Sequence, residues 1–362
     1  MKRLGVIGAG QLGRMLGTAA ARLGIDVTFL DPAPSPPAAQ VGPVICEPFD
    51  STAGLEKLAG VSDLLTYEFE NVPVEALEAL AGRVAVFPPT AALRHAQDRW
   101  HEKQVFESLG IPVPQYCRID SRQDLVKAAA ILGFPIVLKT RTLGYDGKGQ
   151  RVIKSSDDIQ AAWQALGSAP LIAEQWVKFD YEVSVIGARR QGGQIVVYPL
   201  TENQHRDGIL RVSLSPARNE ALLDVASEYL TALLDKLDYV GVLALELFVR
   251  DDGLLANEFA PRVHNSGHWT IEGAATSQFE NHLRAIFDLP LGDTSAIACA
   301  GMLNLIGRMP DTSRLPADFP FFLHDYGKSP RPGRKLGHIT VLAENRAGRD
   351  QRLAKISNLL TN

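Results

Sequence analysis

The sequence predicts an α/β protein in three parts: an open parallel sheet with crossover helices, a central α+β part and a small β-rich part. The 362 residues suffice for two or three domains. Up to about residue 100, short apolar runs alternate with helical patterns, as in a parallel sheet. Mixed strand and helix patterns with glycine-rich loops follow, and the last part begins with strand-like runs. We expect domains at residues 1–100, 101–293 and 294–362.

The N-terminal part is predicted to be Rossmann-like. Leu4–Ile7, Val27–Leu30 and Val84–Phe87 are typical of buried parallel strands, and Met15–Leu23 and Glu75–Leu80 of crossover helices. The five prolines between residues 32 and 43 exclude a helix or a central strand in that loop.

A glycine motif opens this part. Residues 8–13 match G-x-G-x-x-G after a strand, and Asp31 ends the second strand, where a ribose-binding acid is expected in a dinucleotide site. The same glycines suit any phosphorylated ligand at a helix N-terminus, or only close helix–strand packing. The proline-rich loop follows Asp31 at once, where an adenosine would lie, and this argues against a dinucleotide.

The central part carries a second glycine-rich segment. The strand Ile136–Lys139 ends in a lysine, glycines follow at 144, 147 and 149, and Val152–Ile153 resumes a strand pattern. Such a flap can cover phosphates with backbone N–H donors, while Lys139 supplies a charge. An ordinary hairpin loop has the same pattern. The apolar strand Leu171–Val177 then enters a polar hinge that suits an adenine, with Glu182 near a ribose.

A predicted hairpin brings two carboxylates together. Asp251-Asp252-Gly253 is a turn signal between the runs VLALELFV and LLANEFA. A turn centred on Asp252 places Glu246 opposite Glu258, with Cβ atoms about 5 Å apart. Mg²⁺ commonly uses one or two carboxylates plus substrate phosphates, although an exposed pair of glutamates is the simpler alternative. The anion-binding segment 262–268, RVHNSGH, follows directly and favours the metal.

Composition limits the possible partners. The formal net charge is −4 and hydrophobic residues make up 46% of the chain. These values are typical of a globular protein without a general attraction to nucleic acid or to an anionic membrane. The apolar stretch 296–307 is too short to cross a bilayer, and the N-terminus lacks a signal-peptide pattern. Cys46, Cys117 and Cys299 form neither a disulfide framework nor a CxxC site. We expect a cytoplasmic protein with small-molecule substrates and no nucleic-acid or membrane partner.

The order of these features resembles the ATP-grasp superfamily: lysine strand, glycine flap, hinge, then paired carboxylates 12 residues apart. Within it the chain is similar, over nearly its whole length, to the N5-carboxyaminoimidazole ribonucleotide synthetases (PurK-type). The matching blocks are GxGQLGRML at the start, YEFENVP at 67–73, GYDGKGQ at 144–150, NEFAPRVHNSGHWT at 257–270 and RPGRKLGHI at 331–339. One departure is Ala260, where many ATP-grasp relatives place an Asn metal ligand.

The resemblance implies a pre-ATP-grasp domain, an ATP-grasp domain and a C-terminal domain. It also implies a homodimeric ligase of purine biosynthesis that carboxylates 5-aminoimidazole ribonucleotide (AIR) with bicarbonate and ATP, through carboxyphosphate. Mg²⁺, with Mn²⁺ as an alternative, is expected on Glu246 and Glu258. The residues implied for ATP are Arg99, Lys139, Gly144, Tyr145, Asp146, Gly147, Lys148, Gly149, Gln150, Glu174, Gln175, Trp176, Val177, Glu182, His205, Asn257 and Glu258. Those implied for catalysis are Arg262, His264 and Asn265 for bicarbonate, and Tyr145 and Asp146 for proton handling. Those implied for AIR are Gln11, Leu12, Glu68, Asn71, Ser266, Lys328, Arg334 and Lys335.

Three other functions compete with this one. A sister ATP-grasp ligase, such as a formate-dependent glycinamide ribonucleotide transformylase or a biotin carboxylase, would share the ATP apparatus. It would differ in the N-terminal and 331–339 blocks. A nicotinamide-dependent oxidoreductase rests only on residues 8–13 and Asp31. A catalytically inactive nucleotide-binding protein is disfavoured, because both carboxylates and the flap lysine are present.

Overall fold

The computed structural model describes residues 1–144, 148–251, 253–311, 313, 315, 316 and 318–361. The predicted α/β class is confirmed, and three sheets carry it. No helix among these described residues is both long enough and apolar enough to span a bilayer.

The first sheet is parallel and has the order β3-β2-β1-β4-β5. Helix α1 buries Leu12, Met15, Leu16 and Ala19 against it, a spacing that lines one helical face. The proline-rich loop contains one short 3₁₀ turn, Pro37–Gln40, where no helix was expected. The elements are β1 Lys2–Ile7, α1 Gln11–Arg22, β2 Ile25–Leu30, β3 Val44–Ile45, α2 Thr52–Gly60, β4 Leu64–Tyr67, α3 Val74–Glu78, β5 Ala85–Val86 and α4 Thr90–Ala96.

The second sheet is antiparallel, with the order β6-β9-β7-β8, and two helices cover one face. Helix α5 precedes it and connects it to the first sheet. The predicted lysine strand is β7 and the predicted hinge strand is β9, which pair directly. The elements are α5 Arg99–Ser108, β6 Tyr116–Ile119, α6 Arg122–Leu132, β7 Ile136–Thr140, β8 Gln150–Ile153, α7 Ile159–Leu166 and β9 Leu171–Gln175.

The third sheet has nine strands and all its pairs are antiparallel. The order is β15-β14-β10-β12-β13-β16-β18-β17, with β11 beside β10. Because β13 pairs with β16, this sheet continues past residue 293 into the C-terminal part. The elements are β10 Tyr181–Arg189, β11 Ile195–Val197, β12 Thr201–Arg206, β13 Ile209–Ser215, α8 Leu222–Lys236, β14 Gly241–Arg250, β15 Gly253–Ala260, α9 Thr270–Gly273, α10 Gln278–Ile286, β16 Cys299–Ile306, β17 Phe321–Asp325, β18 Lys335–Ala343 and α11 Arg346–Thr361.

Candidate active site

Two adjoining cavities, of about 390 and 270 Å³, share one wall. Arg99, His205, Gly208, Glu246 and Glu258 line both of them. The larger cavity lies toward the first sheet and the smaller one toward the second. Predicted residues in the larger cavity are Gln11, Leu12, Glu68, Asn71, Gly144, Arg262, His264, Asn265 and Lys335. Those in the smaller cavity are Lys139, Lys148, Gln150, Glu174, Gln175, Trp176, Val177, Glu182 and Asn257.

The predicted hairpin is formed by β14 and β15, and Glu246 does face Glu258. The route differs from the expected one. Arg250 pairs with Gly253 at the turn, so the hairpin is not centred on residue 252 there. A β-bulge next to Glu246 then adds one residue on β15 and restores the predicted pairing. Asp252 itself lies outside the described residues.

Each carboxylate of this pair is held by a nitrogen-bearing side chain. Arg99 Nη1 lies 2.7 Å from Glu258 Oε2, and His264 Nε2 lies 3.1 Å from Glu246 Oε1. Burial raises the pKa of Glu246, but the hydrogen bond and charge of His264, together with the charge of His205, outweigh burial and lower it to about 2. Glu246 is therefore a carboxylate at neutral pH, and its partners are side chains that can rotate away.

The segment after β15 aims donors into the larger cavity. Both amide atoms of Asn265 are buried and have no hydrogen-bond partner in the structure, which leaves them available to a ligand. The guanidinium of Arg262 pairs with Glu70. His264 Nδ1 lies 2.8 Å from Ser266 Oγ. This arrangement suits a small oxyanion bound beside Glu246.

Ser266 departs from the expected substrate contact. It is fully buried, lines neither cavity, and its hydroxyl also accepts a hydrogen bond from Ser184 Oγ at 2.7 Å. Because that hydroxyl is engaged beneath His264, Ser266 orients the imidazole and does not reach a ligand in this arrangement.

In the smaller cavity, Lys139 and Glu174 form a buried ion pair. Lys139 Nζ lies 2.8 Å from Glu174 Oε2, and Lys103 Nζ approaches the same oxygen at 4.0 Å. Burial raises the pKa of Glu174, but the two lysines outweigh burial and lower it to about 2. The other carboxylate oxygen, Oε1, is buried without a partner. The predicted phosphate lysine and hinge glutamate thus contact each other directly.

The rest of the smaller cavity combines an apolar side with a polar end. The rings of Phe179 and Phe248 stack with centroids 4.7 Å apart, and Trp176 is 46% exposed beside them. At the polar end, His205 Nδ1 contacts the Glu182 carboxylate. Burial lowers the pKa of His205, but the hydrogen bond to Glu182 and the charge of Glu246 outweigh it and raise it. An aromatic base and a ribose match these two ends.

The N-terminal glycine motif does not present its donors to a phosphate. The Glu68 carboxylate accepts the N–H groups of Gly10 and Gly13, each at 2.5 Å, and Asp31 accepts that of Ala9 at 2.9 Å. A Cβ on Gly8 would lie 2.4 Å from Glu68 Cγ. The glycines therefore make room for an internal carboxylate, which explains the motif without a dinucleotide.

The three basic residues implied for AIR, Lys328, Arg334 and Lys335, only partly reach the larger cavity. Lys335 lines this cavity. Lys328 does not line it, but its ammonium contacts Oε1 of Gln11, which does. Burial lowers the pKa of Lys328 to about 8. Arg334 Nη1 donates to the Ser329 carbonyl at 3.1 Å and lines neither cavity.

Parts of the predicted flap are not placed by the structure. Tyr145, Asp146 and Gly147 lie outside the described residues. Gly149 lines neither cavity; a Cβ there would lie 2.6 Å from Thr140 Oγ1, so glycine is required by close packing.

Two buried charged residues of α5 were not predicted from the sequence. Glu102 is 2% and Lys103 is 1% exposed, and Glu102 lines the larger cavity. Burial and the negative charge of Glu258 raise the pKa of Glu102 to about 8, although the positive charge of Lys103 acts in the opposite direction. The available signal was spacing: Arg99, Glu102 and Lys103 follow an i, i+3, i+4 pattern that places all three on one helical face.

The donor set at the shared wall suits a hard divalent cation. No three His, Cys, Asp or Glu side chains within the described ranges form a metal-holding group by themselves. Two carboxylate oxygens on neighbouring strands, facing both cavities, match the way Mg²⁺ is bound by one or two carboxylates and completed by substrate phosphates. The residues present therefore fit Mg²⁺ together with a bound nucleotide.

Family models match nearly the whole chain. A ribonucleotide synthetase preATP-grasp domain matches residues 1–97, an ATP-grasp domain residues 104–279, and a phosphoribosylaminoimidazole carboxylase C-terminal domain residues 300–352.

Relatives of known name and structure agree with these matches. The N5-carboxyaminoimidazole ribonucleotide synthase of Pseudomonas aeruginosa is 49% identical over 358 residues, which is 99% of each chain. The crystal structure of the corresponding synthetase from Thermus thermophilus superposes with a TM-score of 0.95 at 46% identity, covering 99% of each chain. The enzyme of Aspergillus clavatus, solved with ADP and 5-aminoimidazole ribonucleotide, gives a TM-score of 0.92 at 35% identity, covering 99% of this chain and 98% of that one.

Proposed function

The chain belongs to the N5-carboxyaminoimidazole ribonucleotide synthase family, and from this premise we propose how its two cavities carry out the reaction. The enzyme is an ATP-dependent ligase of purine (IMP) biosynthesis. It joins bicarbonate to the exocyclic amine of AIR and releases ADP and phosphate. The observation that carries the proposal is the wall shared by the two cavities, since a phosphoryl group bound there can be reached from both sides.

ATP occupies the smaller cavity. Glu174, Gln175, Trp176 and Val177 frame the adenine, while the Glu182–His205 pair meets the ribose. Lys139, Lys148, Gln150 and Arg99 hold the phosphates, and Asn257 adds a contact. Lys139 must exchange its Glu174 partner for a phosphate oxygen, which Lys103 facilitates by keeping Glu174 neutralised. The flap of residues 144–150, of which 145–147 lie outside the described residues, is proposed to cover the phosphates.

Bicarbonate occupies the larger cavity beside the shared wall. Arg262, His264 and Asn265 supply donors for its oxygens, and Ser266 orients the imidazole of His264. A bicarbonate oxygen attacks the γ-phosphorus, the bond to the β-phosphate oxygen breaks, and carboxyphosphate and ADP result. Phosphoryl transfer depends mostly on positioning and charge neutralisation. Mg²⁺, held by Glu246 and Glu258, would supply that neutralisation when bound, and Mn²⁺ has the same oxygen preference.

AIR completes the reaction from the far side of the larger cavity. Gln11, Leu12, Glu68 and Asn71 contact the nucleotide, and Lys335, with Lys328 and Arg334 nearby, attracts its phosphate. The amine attacks the carboxyl carbon, the bond to the phosphate oxygen breaks, and the amine loses a proton. Tyr145 and Asp146 are the proposed proton-handling groups.

The setting of the enzyme is proposed as well. Cys46, Cys117 and Cys299 are free thiols, which supports a reducing compartment such as the cytoplasm. The family resemblance supports a homodimer and domains at 1–100, 101–293 and 294–362. Light scattering on the purified protein tests the dimer, and a mass of one chain would refute it.

The test is ADP release from purified protein with Mg·ATP, measured with and without bicarbonate and AIR. We expect release to depend on both, and Glu258→Gln to lower it at least about a hundredfold, the loss that one preorganised transition-state contact already causes. Glu280→Gln is the control, because Glu280 pairs with Arg284 on α10 and lines neither cavity. ADP release that does not change on addition of AIR would refute AIR as the substrate.

A further inference from the structure

The register of the β14–β15 hairpin changes by one residue, and the change decides which residue faces Glu246. Near the turn, Arg250 pairs with Gly253 and Leu247 pairs with Ala256. If this register continued, Asn257 would lie opposite Glu246. The bulge leaves Asn257 without a paired residue and brings Glu258 opposite Glu246 instead. The carboxylate pair therefore exists because of the bulge.

The bulge lies on an edge strand, and α5 covers it. Strand β15 ends the nine-stranded sheet, so half of its backbone groups point away from β14. Lys103 Nζ donates to the Asn257 carbonyl at 2.7 Å and approaches the Ala256 carbonyl at 3.4 Å. Glu102 Oε1 accepts a hydrogen bond from the Phe259 N–H at 2.6 Å. Two adjacent side chains thus bond the backbone immediately before and after Glu258.

We propose that Glu102 and Lys103, together the register clamp, are positioning residues that hold the bulge at Asn257 and so keep Glu258 opposite Glu246. The inference rests on the proposed function of that pair as the Mg²⁺ site. Both clamp side chains are almost completely buried, so breaking either hydrogen bond would leave a buried polar group of the clamp without a partner. A one-residue slip would turn a strand side chain to the opposite face of the sheet.

The register clamp also touches the ATP side of the wall. Lys103 Nζ is 4.0 Å from Glu174, which pairs with the phosphate lysine Lys139. One buried ammonium therefore contacts both the carboxylate strand and the partner of the phosphate lysine. Loss of that ammonium is expected to disturb metal binding and ATP binding together, while leaving the AIR side unchanged.

The test compares variants that keep or remove the hydrogen bonds of the clamp. Glu102→Gln keeps an acceptor oxygen for the Phe259 N–H, and Glu102→Met removes it at similar size. Lys103→Arg keeps a donor, and Lys103→Met removes it. Arg349→Met is the matched control. Like Lys103, Arg349 is a buried cation (3% exposed) that donates to a backbone carbonyl, that of Pro216 at 2.9 Å. Unlike the clamp, it lines neither cavity.

The primary measurement is Mn²⁺ affinity in the presence of ADP, by electron paramagnetic resonance, with thermal unfolding recorded for every variant. We expect both Met variants of the clamp to bind Mn²⁺ about 10- to 100-fold more weakly, as is usual for residues that orient metal ligands. The Gln variant should stay within about threefold of wild type, and the Arg variant should recover part of the loss. Arg349→Met should unfold earlier but bind Mn²⁺ normally.

Several outcomes would overturn the proposal. Normal Mn²⁺ affinity in folded Met variants would refute it, as would a loss in Glu102→Gln as large as in Glu102→Met. If a Met variant does not fold, the Gln and Arg variants still test the proposal. A tenfold or greater loss of Mn²⁺ affinity in Glu102→Gln would contradict a hydrogen-bond role for Glu102. The proposed function is judged separately by AIR-dependent ADP release of wild type, which can fail while Mn²⁺ binding still distinguishes the variants.

Discussion

Two regions of the molecule hold carboxylates in opposite ways. At the start of α1, Glu68 is held by two backbone N–H groups. At the β14–β15 hairpin, Glu246 and Glu258 are held by the side chains of His264 and Arg99. Both regions contain a motif that suggests ligand binding from the sequence. Only the hairpin region offers groups that can change partners.

The difference separates scaffold from site. A backbone donor is fixed by its helix, so a carboxylate bonded to it fills the position permanently. A side-chain donor can rotate, so a carboxylate paired with it can accept a ligand when one arrives. The same rule applies to amides: the side-chain amide atoms of Asn265 are buried without partners, whereas the amide of Asn281 bonds Tyr198 and Gly292. Unsatisfied or exchangeable polar groups mark the site here.

The two asparagines give the strongest test of that rule. Asn265→Ala should lower kcat/KM for bicarbonate about a hundredfold, because one preorganised donor is lost, with little change in the free energy of unfolding. Asn281→Ala should lower the free energy of unfolding by about 1–3 kcal/mol and leave kcat/KM unchanged. Urea unfolding and steady-state kinetics on both variants check this. The rule would be wrong if Asn265→Ala lost stability without losing activity and Asn281→Ala lost activity without losing stability.

Glu68→Gln tests the scaffold side. The amide NH₂ would face one of two backbone N–H donors that now bond a carboxylate, so we expect the free energy of unfolding to fall by about 1–3 kcal/mol. The exposed pair of Glu56 with Arg83 provides the control, since Glu56→Gln should cost less than about 0.5 kcal/mol. An unchanged unfolding curve would refute the scaffold role of Glu68, and a raised KM for AIR would report the separate contact proposed between Glu68 and AIR.

A smaller effect is expected from pH. His282 Nδ1 accepts the Val242 N–H at 3.1 Å, so Nε2 carries the proton and donates to Thr66 Oγ1 at 2.9 Å. Burial lowers the pKa of His282 from 6.5 to about 3. A depressed pKa means that the unfolded chain binds the proton first. This contribution to stability is complete above pH 6.5 and is lost as the pH falls toward 3, by up to about 1.4 kcal/mol per pH unit.

Urea unfolding between pH 7 and pH 5 measures that slope. His282→Gln should have a shallower pH dependence than wild type, whereas His101→Gln, at a half-exposed position on α5, should match wild type. If the free energy of unfolding had the same pH dependence in all three proteins, the pKa of His282 would not be depressed in the folded state. The hydrogen bond from the Val242 N–H would then have no effect on the protonation of His282.

Local patterns predicted the strands and the facing carboxylates, and long-range contacts account for what they missed. The apolar runs specified β1 and β7 closely, because burial requires apolar side chains there. The Glu246–Glu258 pairing was predicted from a turn centre that the structure does not use, and a bulge corrected the count. No local signal indicates that Glu68 fills a glycine loop 55 residues earlier in the chain, or that Glu70 pairs with Arg262. Such partners are fixed only when the sheets assemble.

The nine-stranded sheet has a consequence for where the chain can be shortened. Residue 293 separates two predicted domains, yet β13 before it and β16 after it are hydrogen-bonded neighbours. Removing everything beyond that residue would take away one of the two strands that pair with β13 and leave β13 as an open edge, a template for pairing with other copies. The last seventy residues therefore act as a permanent cover against aggregation, whatever else they contribute.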